Sequence, residues 1–170
     1  MDLAAADIPA AGPPEARAPK PQRATRGERW ACAVLAVAAL AVLGLAAWLE
    51  PAPSGIGTHR ALGLAPCGWV QSMSLPCPSC GMTTAFALAA RGRFVAAAAA
   101  QPMGFLLAVG SAAAAIACLH TALTGSRLAH VLGARLTPRV LLGLGIVALL
   151  AWGWKIASYR GLLPVAGAHA

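Results

Sequence analysis

Residues 30–49, WACAVLAVAALAVLGLAAWL, are twenty residues without a charge. At about 1.5 Å per residue a helix of that length reaches about 30 Å, the thickness of a bilayer hydrocarbon core. This run decides the fold class. Trp30 and Trp48 stand near its ends, where indole rings anchor to the membrane interface. Arg17, Lys20, Arg23, Arg26 and Arg29 precede it, against Glu15 and Glu28. A signal peptide also sets basic residues before an apolar stretch, but its apolar region runs about 7–15 residues and ends at a small-x-small cleavage site. Here the run is longer, follows a long tail and ends in Trp48-Leu49-Glu50, so it reads as a retained anchor.

Two later runs repeat the pattern. Residues 103–123 are 21 residues without a charge, entered through Pro102, whose ring suits the first turn of a helix. Residues 140–157 form a shorter run with Lys155 near its end and Trp152 and Trp154 beside it, so Lys155 is expected to snorkel to the interface. Gly104, Gly110, Gly143 and Gly145 offer small surfaces for close helix packing. Composition agrees: 59% of residues are hydrophobic, mean hydropathy is +0.70, and 11% are charged, against about 25% in soluble domains. The net charge of +8 and pI near 10.3 come from basic residues beside apolar spans. With no aromatic-basic interleaving they indicate juxtamembrane charge and no nucleic-acid partner. Residues 1–29, broken by Pro9, Pro13, Pro14, Pro19 and Pro21, read as a disordered basic tail, and residues 30–170 as one helical membrane domain.

Residues 50–102 are harder. Residues 50–60 form a Pro/Gly loop, whereas residues 70–90 are 21 residues without a charge, interrupted by Pro76 and Pro78. As a broken fourth span they would place nine basic residues near the inner ends of spans and four near the outer ends; with three spans the split is eight to five, so the positive-inside rule mildly favours four. Against this, lipid cannot satisfy proline-rich irregular backbone. The helical part, about residues 79–90, reaches only about 18 Å at about 1.5 Å per residue. The expected fold is therefore all-α integral membrane. Spans cover about residues 30–49, 103–123 and 140–157, and a half-helix dips in from the outer face and turns back at Arg91-Gly92-Arg93.

That half-helix carries the chemistry. Cys77-Pro78-Ser79-Cys80-Gly81-Met82-Thr83-Thr84 sets two thiols three positions apart ahead of an apolar helix. With Pro78 at the first helical position, Cys77 becomes the cap and Cys80 lies in the first turn, where free N–H groups and the positive dipole end favour a thiolate. Thr83 and Thr84 add hydroxyls. Cys67 lies ten residues before Cys77 in the same loop. Three thiols there suit either a redox-active or structural disulfide among Cys67, Cys77 and Cys80, or zinc on those residues with His59 completing a Cys₃His set. The spacing of the latter is looser than in common zinc modules, and plain packing cysteines are the third reading. Cys32 and Cys118, inside apolar spans, read as small hydrophobes. His120 and His130 read as interfacial, and Arg91 and Arg93 as headgroup contacts. No hydrolytic triad, His-Glu-x-x-His or phosphate loop occurs, and five acidic residues in all argue against acid–base hydrolysis.

Pro66-Cys67-Gly68-Trp69, the Cys-Pro-x-Cys-Gly-x-Thr run ending at Thr83, Arg91-Gly92-Arg93 and Gln101-Pro102-Met103-Gly104 together resemble a family of small bacterial membrane proteins, domain of unknown function 2752. The resemblance implies residence in the bacterial inner membrane and marks Cys77, Cys80 and Thr83 as motif positions, but carries no activity. Many members have Arg where this chain has Thr84, and Asn where it has Gln101. The functional expectation is a multi-pass membrane protein in contact with the lipid bilayer and with other membrane proteins. It would work through Cys77 and Cys80 by thiol–disulfide chemistry; the alternatives are a non-catalytic assembly subunit or a metal-binding, zinc-type protein. The five basic residues before Trp30 predict a cytoplasmic N-terminus. An alkaline phosphatase fusion at Gly57 should accordingly be active; an inactive fusion, with a cytoplasmic reporter active at the same site, would reverse the topology.

Overall fold

The computed structural model describes residues 23–162. The disordered-tail expectation up to residue 22, and the membrane domain beyond residue 162, lie outside the described residues. Among the described residues the elements are helical: α1 (Arg26–Trp48), a 3-10 turn (Thr58–Leu62), α2 (Gly68–Met73), α3 (Met82–Ala90), α4 (Phe94–Ala100), α5 (Pro102–Thr124), α6 (Leu128–Ala134) and α7 (Pro138–Tyr159). Three of these, α1, α5 and α7, are long and apolar enough to cross a membrane.

Local chemistry sets their ends. The first helix starts at Arg26, ahead of the apolar run, because Thr25 and Glu28 form a capping box: Thr25 Oγ1 accepts from Glu28 N–H at 3.3 Å and Glu28 Oε2 accepts from Thr25 N–H at 2.7 Å. Proline opens both α5 and α7, where the missing N–H is no loss. The Gln101 and Thr137 side chains cap these two starts by accepting from Gly104 N–H and Val140 N–H. Arg29 donates to the carbonyls of Ala122 and Leu123 at 2.9 and 3.2 Å, so the start of α1 lies against the end of α5. The two helices run antiparallel.

At the opposite end of this pair sits a hairpin of the short helices α3 and α4; the sequence pattern assigns no helix to residues 94–100. Its reversal is a Schellman motif, with Arg93 N–H donating to Leu88 O at 2.9 Å, Gly92 N–H to Ala89 O at 2.9 Å, and Gly92 at φ +74°. Leu88, Ala97 and Ala100 pack together with Phe105 of α5. Arg91 then donates from Nη1 to the Leu49 carbonyl. It thus closes one of the open carbonyls at the end of α1, where a headgroup contact was expected. That bond brings the hairpin back to the end at which α1 finishes, so residues 70–90 are not a fourth span. The mild charge count in favour of four spans loses to the requirement that turn backbone be covered by protein.

Helix α3 begins later than the cysteine spacing suggests. It starts at Met82, not at residue 79, and its cap is Gly81 at φ +88°. Cys77–Cys80 is a turn ahead of the helix, so Cys77 is not its cap and Cys80 is not in its first turn. A left-handed residue directly after Cys80 interrupts any helix begun at Pro78.

The hairpin meets α5 through Gly104, where an added Cβ would stand 3.0 Å from Ala85 Cβ and 3.1 Å from Met82 Cα. Gly110, Gly143 and Gly145 have nothing within 4 Å of such a Cβ, so they do not make the close packing expected of them. Gly104→Leu should therefore lower stability by about 1–3 kcal/mol through overpacking, while Gly110→Ala should be near neutral. Thermal unfolding in detergent followed by circular dichroism checks both; equal effects at the two sites would contradict the α3–α5 contact.

Candidate functional site

The reversal that precedes α3 is held from several sides. Cys80 N–H donates to Cys77 O at 3.0 Å, closing a turn with Pro78 at its second position, and Met82 N–H donates to Ser79 O at 3.1 Å. The carbonyls on either side of Cys77 are both occupied. Trp152 Nε1 of α7 donates to Pro76 O at 3.0 Å, and Gln101 Nε2 at the head of α5 donates to Pro78 O at 3.1 Å. Gln101 is 1% exposed, and its Oε1 accepts from Gly104 N–H at 2.7 Å, so one amide both caps α5 and pins the cysteine turn. Burying such a group unpaired costs about 1–3 kcal/mol, which makes it a strong positional constraint.

Within this frame the three loop thiols converge. Cys67, the residue preceding α2, brings its Sγ to within 4.8 Å of those of Cys77 and Cys80. Cys77 Sγ lies 3.3 Å from Cys80 Sγ and 3.2 Å from Ser79 Oγ. All three are free thiols, Cys80 buried and the other two half-buried. They differ electrostatically. The Val70 N–H in the first turn of α2 faces Cys67 without completing a capping hydrogen bond and, outweighing partial burial, draws that thiol down to about 7. Burial, reinforced by hydrogen bonds from Cys77 and Cys67, pushes Cys80 up to about 12.

The thiols open on a cavity of about 720 Å³ between α1, the loop and α3. Its walls are largely apolar, with Leu45 and Leu49 of α1 facing Phe86 of α3. Thr83 and His59 also line it. His59 Nε2 stands 3.2 Å from the Ala65 carbonyl, and His59 is not among the groups whose ligand atoms converge. Thr84 turns the other way: buried, its hydroxyl bonds that of Thr58 at 2.8 Å, fastening α3 to the 3-10 turn. Cys32 and Cys118 interact across α1 and α5, remote in the chain from the loop thiols.

Lys155 was expected at the membrane interface. Instead it is 6% exposed, and Nζ donates to Gly55 O at 3.0 Å and Ala100 O at 2.9 Å. It lies so close to the cysteine turn that a Cβ on Gly81 would stand 2.9 Å from Nζ and 2.8 Å from Gly55 O. Snorkelling loses because the loop and the end of α4 fold over the side chain and supply carbonyls at once. Two charge-assisted hydrogen bonds of about 1.5–3 kcal/mol each oppose a desolvation cost of several kcal/mol. The signal was present in the sequence: a lone ionisable residue within an apolar helix marks a site by default. Trp152 and Gln101 gave no such signal, since their partners are backbone carbonyls remote in the chain.

Residues 67–115 match the family described as Protein of unknown function (DUF2752), in agreement with the resemblance read from the motif. The matched segment begins at Cys67 and takes in all three converging thiols. No curated protein and no solved structure matches the chain.

The inequality of the thiols has a measurable consequence. Below pH about 7 Cys67 is protonated and above it the thiolate forms, whereas Cys80 stays a thiol until pH about 12. In reduced, chelator-treated protein, alkylation should therefore reach Cys67 first, with a midpoint near 7, and leave Cys80 nearly untouched at pH 8. Peptide mapping after timed iodoacetamide treatment reads this directly; Cys80 reacting first would contradict the geometry.

Proposed function

We propose that this protein is a helical membrane protein whose Cys67, Cys77 and Cys80 form a binding centre for a thiophilic divalent cation such as zinc. The observation that carries the reading is the convergence of three thiol sulfurs within 4.8 Å of one another, from two separate turns. Tetrahedral zinc with Zn–S bonds of about 2.3 Å sets its sulfurs about 3.8 Å apart, so small side-chain rotations would close the set. Two further features support it. The turn bearing Cys77 is fixed on both sides by Trp152 and Gln101, as a site needs when the ligands must be held in place. The thiols also border a cavity in whose wall His59 lies, giving access for a fourth ligand, either that imidazole or an exogenous group. On this reading the protein resides in the bacterial inner membrane with its N-terminus cytoplasmic, and the centre lies at the outer face.

A second reading, thiol–disulfide exchange, is favoured by the 3.3 Å approach of Cys77 and Cys80 Sγ. In it the two thiols would lose two protons and two electrons to a partner disulfide, which is reduced to two thiols. The raised Cys80 thiol weighs against it, because a high-pKa thiol is a poor leaving group. The same raised thiol does not weigh against a metal centre, since metal coordination deprotonates a thiol outright.

Elemental analysis with intact mass spectrometry, on protein purified in detergent without reductant or chelator, separates the two. The expected result is one divalent ion per chain, lost when Cys77 and Cys80 are together replaced by serine. Metal-free protein two hydrogens lighter would overturn the metal reading and show a disulfide as exchange requires, and metal-free protein with all three thiols reduced would sink both.

A further inference from the structure

Lys155 is the one described cation that the helical bundle encloses beside the thiols. It is 6% exposed, and its Nζ donates to two neutral carbonyls, those of Gly55 and Ala100. Only Glu28 and Glu50 are acidic among the described residues, and Glu50 is exposed. A buried ammonium has three N–H donors, and neutral carbonyls do not cancel its charge. Its position is specific. Nζ rests against Gly81, the residue following Cys80, where any side chain would collide with it. Gly81 thus provides the φ of +88° that the turn requires and also leaves room for the ammonium.

Charge balance gives this arrangement a purpose. A divalent ion that displaces three thiol protons from Cys67, Cys77 and Cys80 leaves a centre of net charge −1. In a low-dielectric setting such a charge needs a partner, and so does Lys155. We propose that Lys155 is the counter-ion of the metal–tris-thiolate centre, making it neutral overall and selecting a divalent ion bound by three thiolates. This rests on the metal-centre reading and adds to it the identity of the positioning residue and the charge class of the ion. The ammonium does not touch the metal; it holds the thiolate set electrostatically from the Cys80 side.

The test is a double-mutant cycle read by Zn(II) affinity, using competition with a chromophoric chelator on full-length protein in detergent. Lys155→Gln keeps two N–H donors for the Gly55 and Ala100 carbonyls and removes the charge. In the three-thiol protein it should weaken Zn(II) binding by about 10–100-fold. In the Cys80→Ser background, where two thiolates already neutralise the ion, the same change should leave affinity unchanged or raise it. A purely structural role predicts the same loss in both backgrounds, and that result overturns the proposal, as does an unchanged affinity in the three-thiol protein. Lys155→Met, which keeps the apolar stem, stands in if the Gln variant fails to fold. Should both fail, recovery of folding in the Cys80→Ser background supports the counter-ion role and failure there overturns it. If the unmodified protein binds no Zn(II) at all, it is the metal-centre reading that falls, and the counter-ion falls with it.

Discussion

The Lys155 ammonium, held between the carbonyls of Gly55 and Ala100, is the contact on which this end of the molecule depends. It joins three segments that no regular hydrogen-bond ladder connects: the loop after α1, the end of α4 and the last turns of α7. Helix α7 is otherwise sparsely buried, with Ala151 and Lys155 its buried residues. Together with Trp152 on Pro76 O, Trp154 on Ala99 O and the edge-on contact of Trp152 with Trp69, this lysine helps dock α7. Such docking suits a membrane. Lipid chains are as apolar as the side chains they meet, so helices there gain from small-residue packing and from polar contacts to backbone.

The same constraint explains why the thiols sit where they do. Backbone between residues 50 and 102 is too irregular to be left facing lipid, and each exposed carbonyl needs a donor. Long side chains provide them: Gln101 on Pro78, Trp152 on Pro76, Lys155 on Gly55. Fixing the carbonyls of Pro76 and Pro78 fixes Cys77 between them. The turn to Cys80 follows, and Gly81 then redirects the chain into α3. A stiff reversal under α2 thus presents two sulfurs to Cys67, and the cavity beside them is the space that α3 and α1 leave unfilled.

Polarity within the site is uneven in a way that matters to its chemistry. The backbone N–H groups in the first turn of α2 ease ionisation of Cys67, while Cys80 is buried and resists it. Left to themselves, three such thiols would hold their protons unequally. On the proposed metal-centre reading a divalent ion would equalise them, and a nearby fixed cation would support that state.

Much of this was legible in the sequence, and the reason is length. Runs of 18–21 apolar residues leave a helix across the bilayer as the outcome compatible with backbone hydrogen bonding, so α1, α5 and α7 lie within a few residues of where residues 30–49, 103–123 and 140–157 place them. The grouping of Cys67, Cys77 and Cys80 was legible too, since one short loop carries them all. What the sequence did not determine is everything set by contacts between distant segments. A lone lysine near a helix end reads equally as snorkelling or buried; only the loop folding over Lys155 decided it. The start of α3 turned on Gly81 adopting a left-handed conformation against Gly55 and Lys155, and the choice of three spans on Arg91 reaching Leu49. Local pattern determines which segments are helical because helix hydrogen bonds close within one segment. Where the remaining carbonyls find their donors is settled only when the helices are brought together.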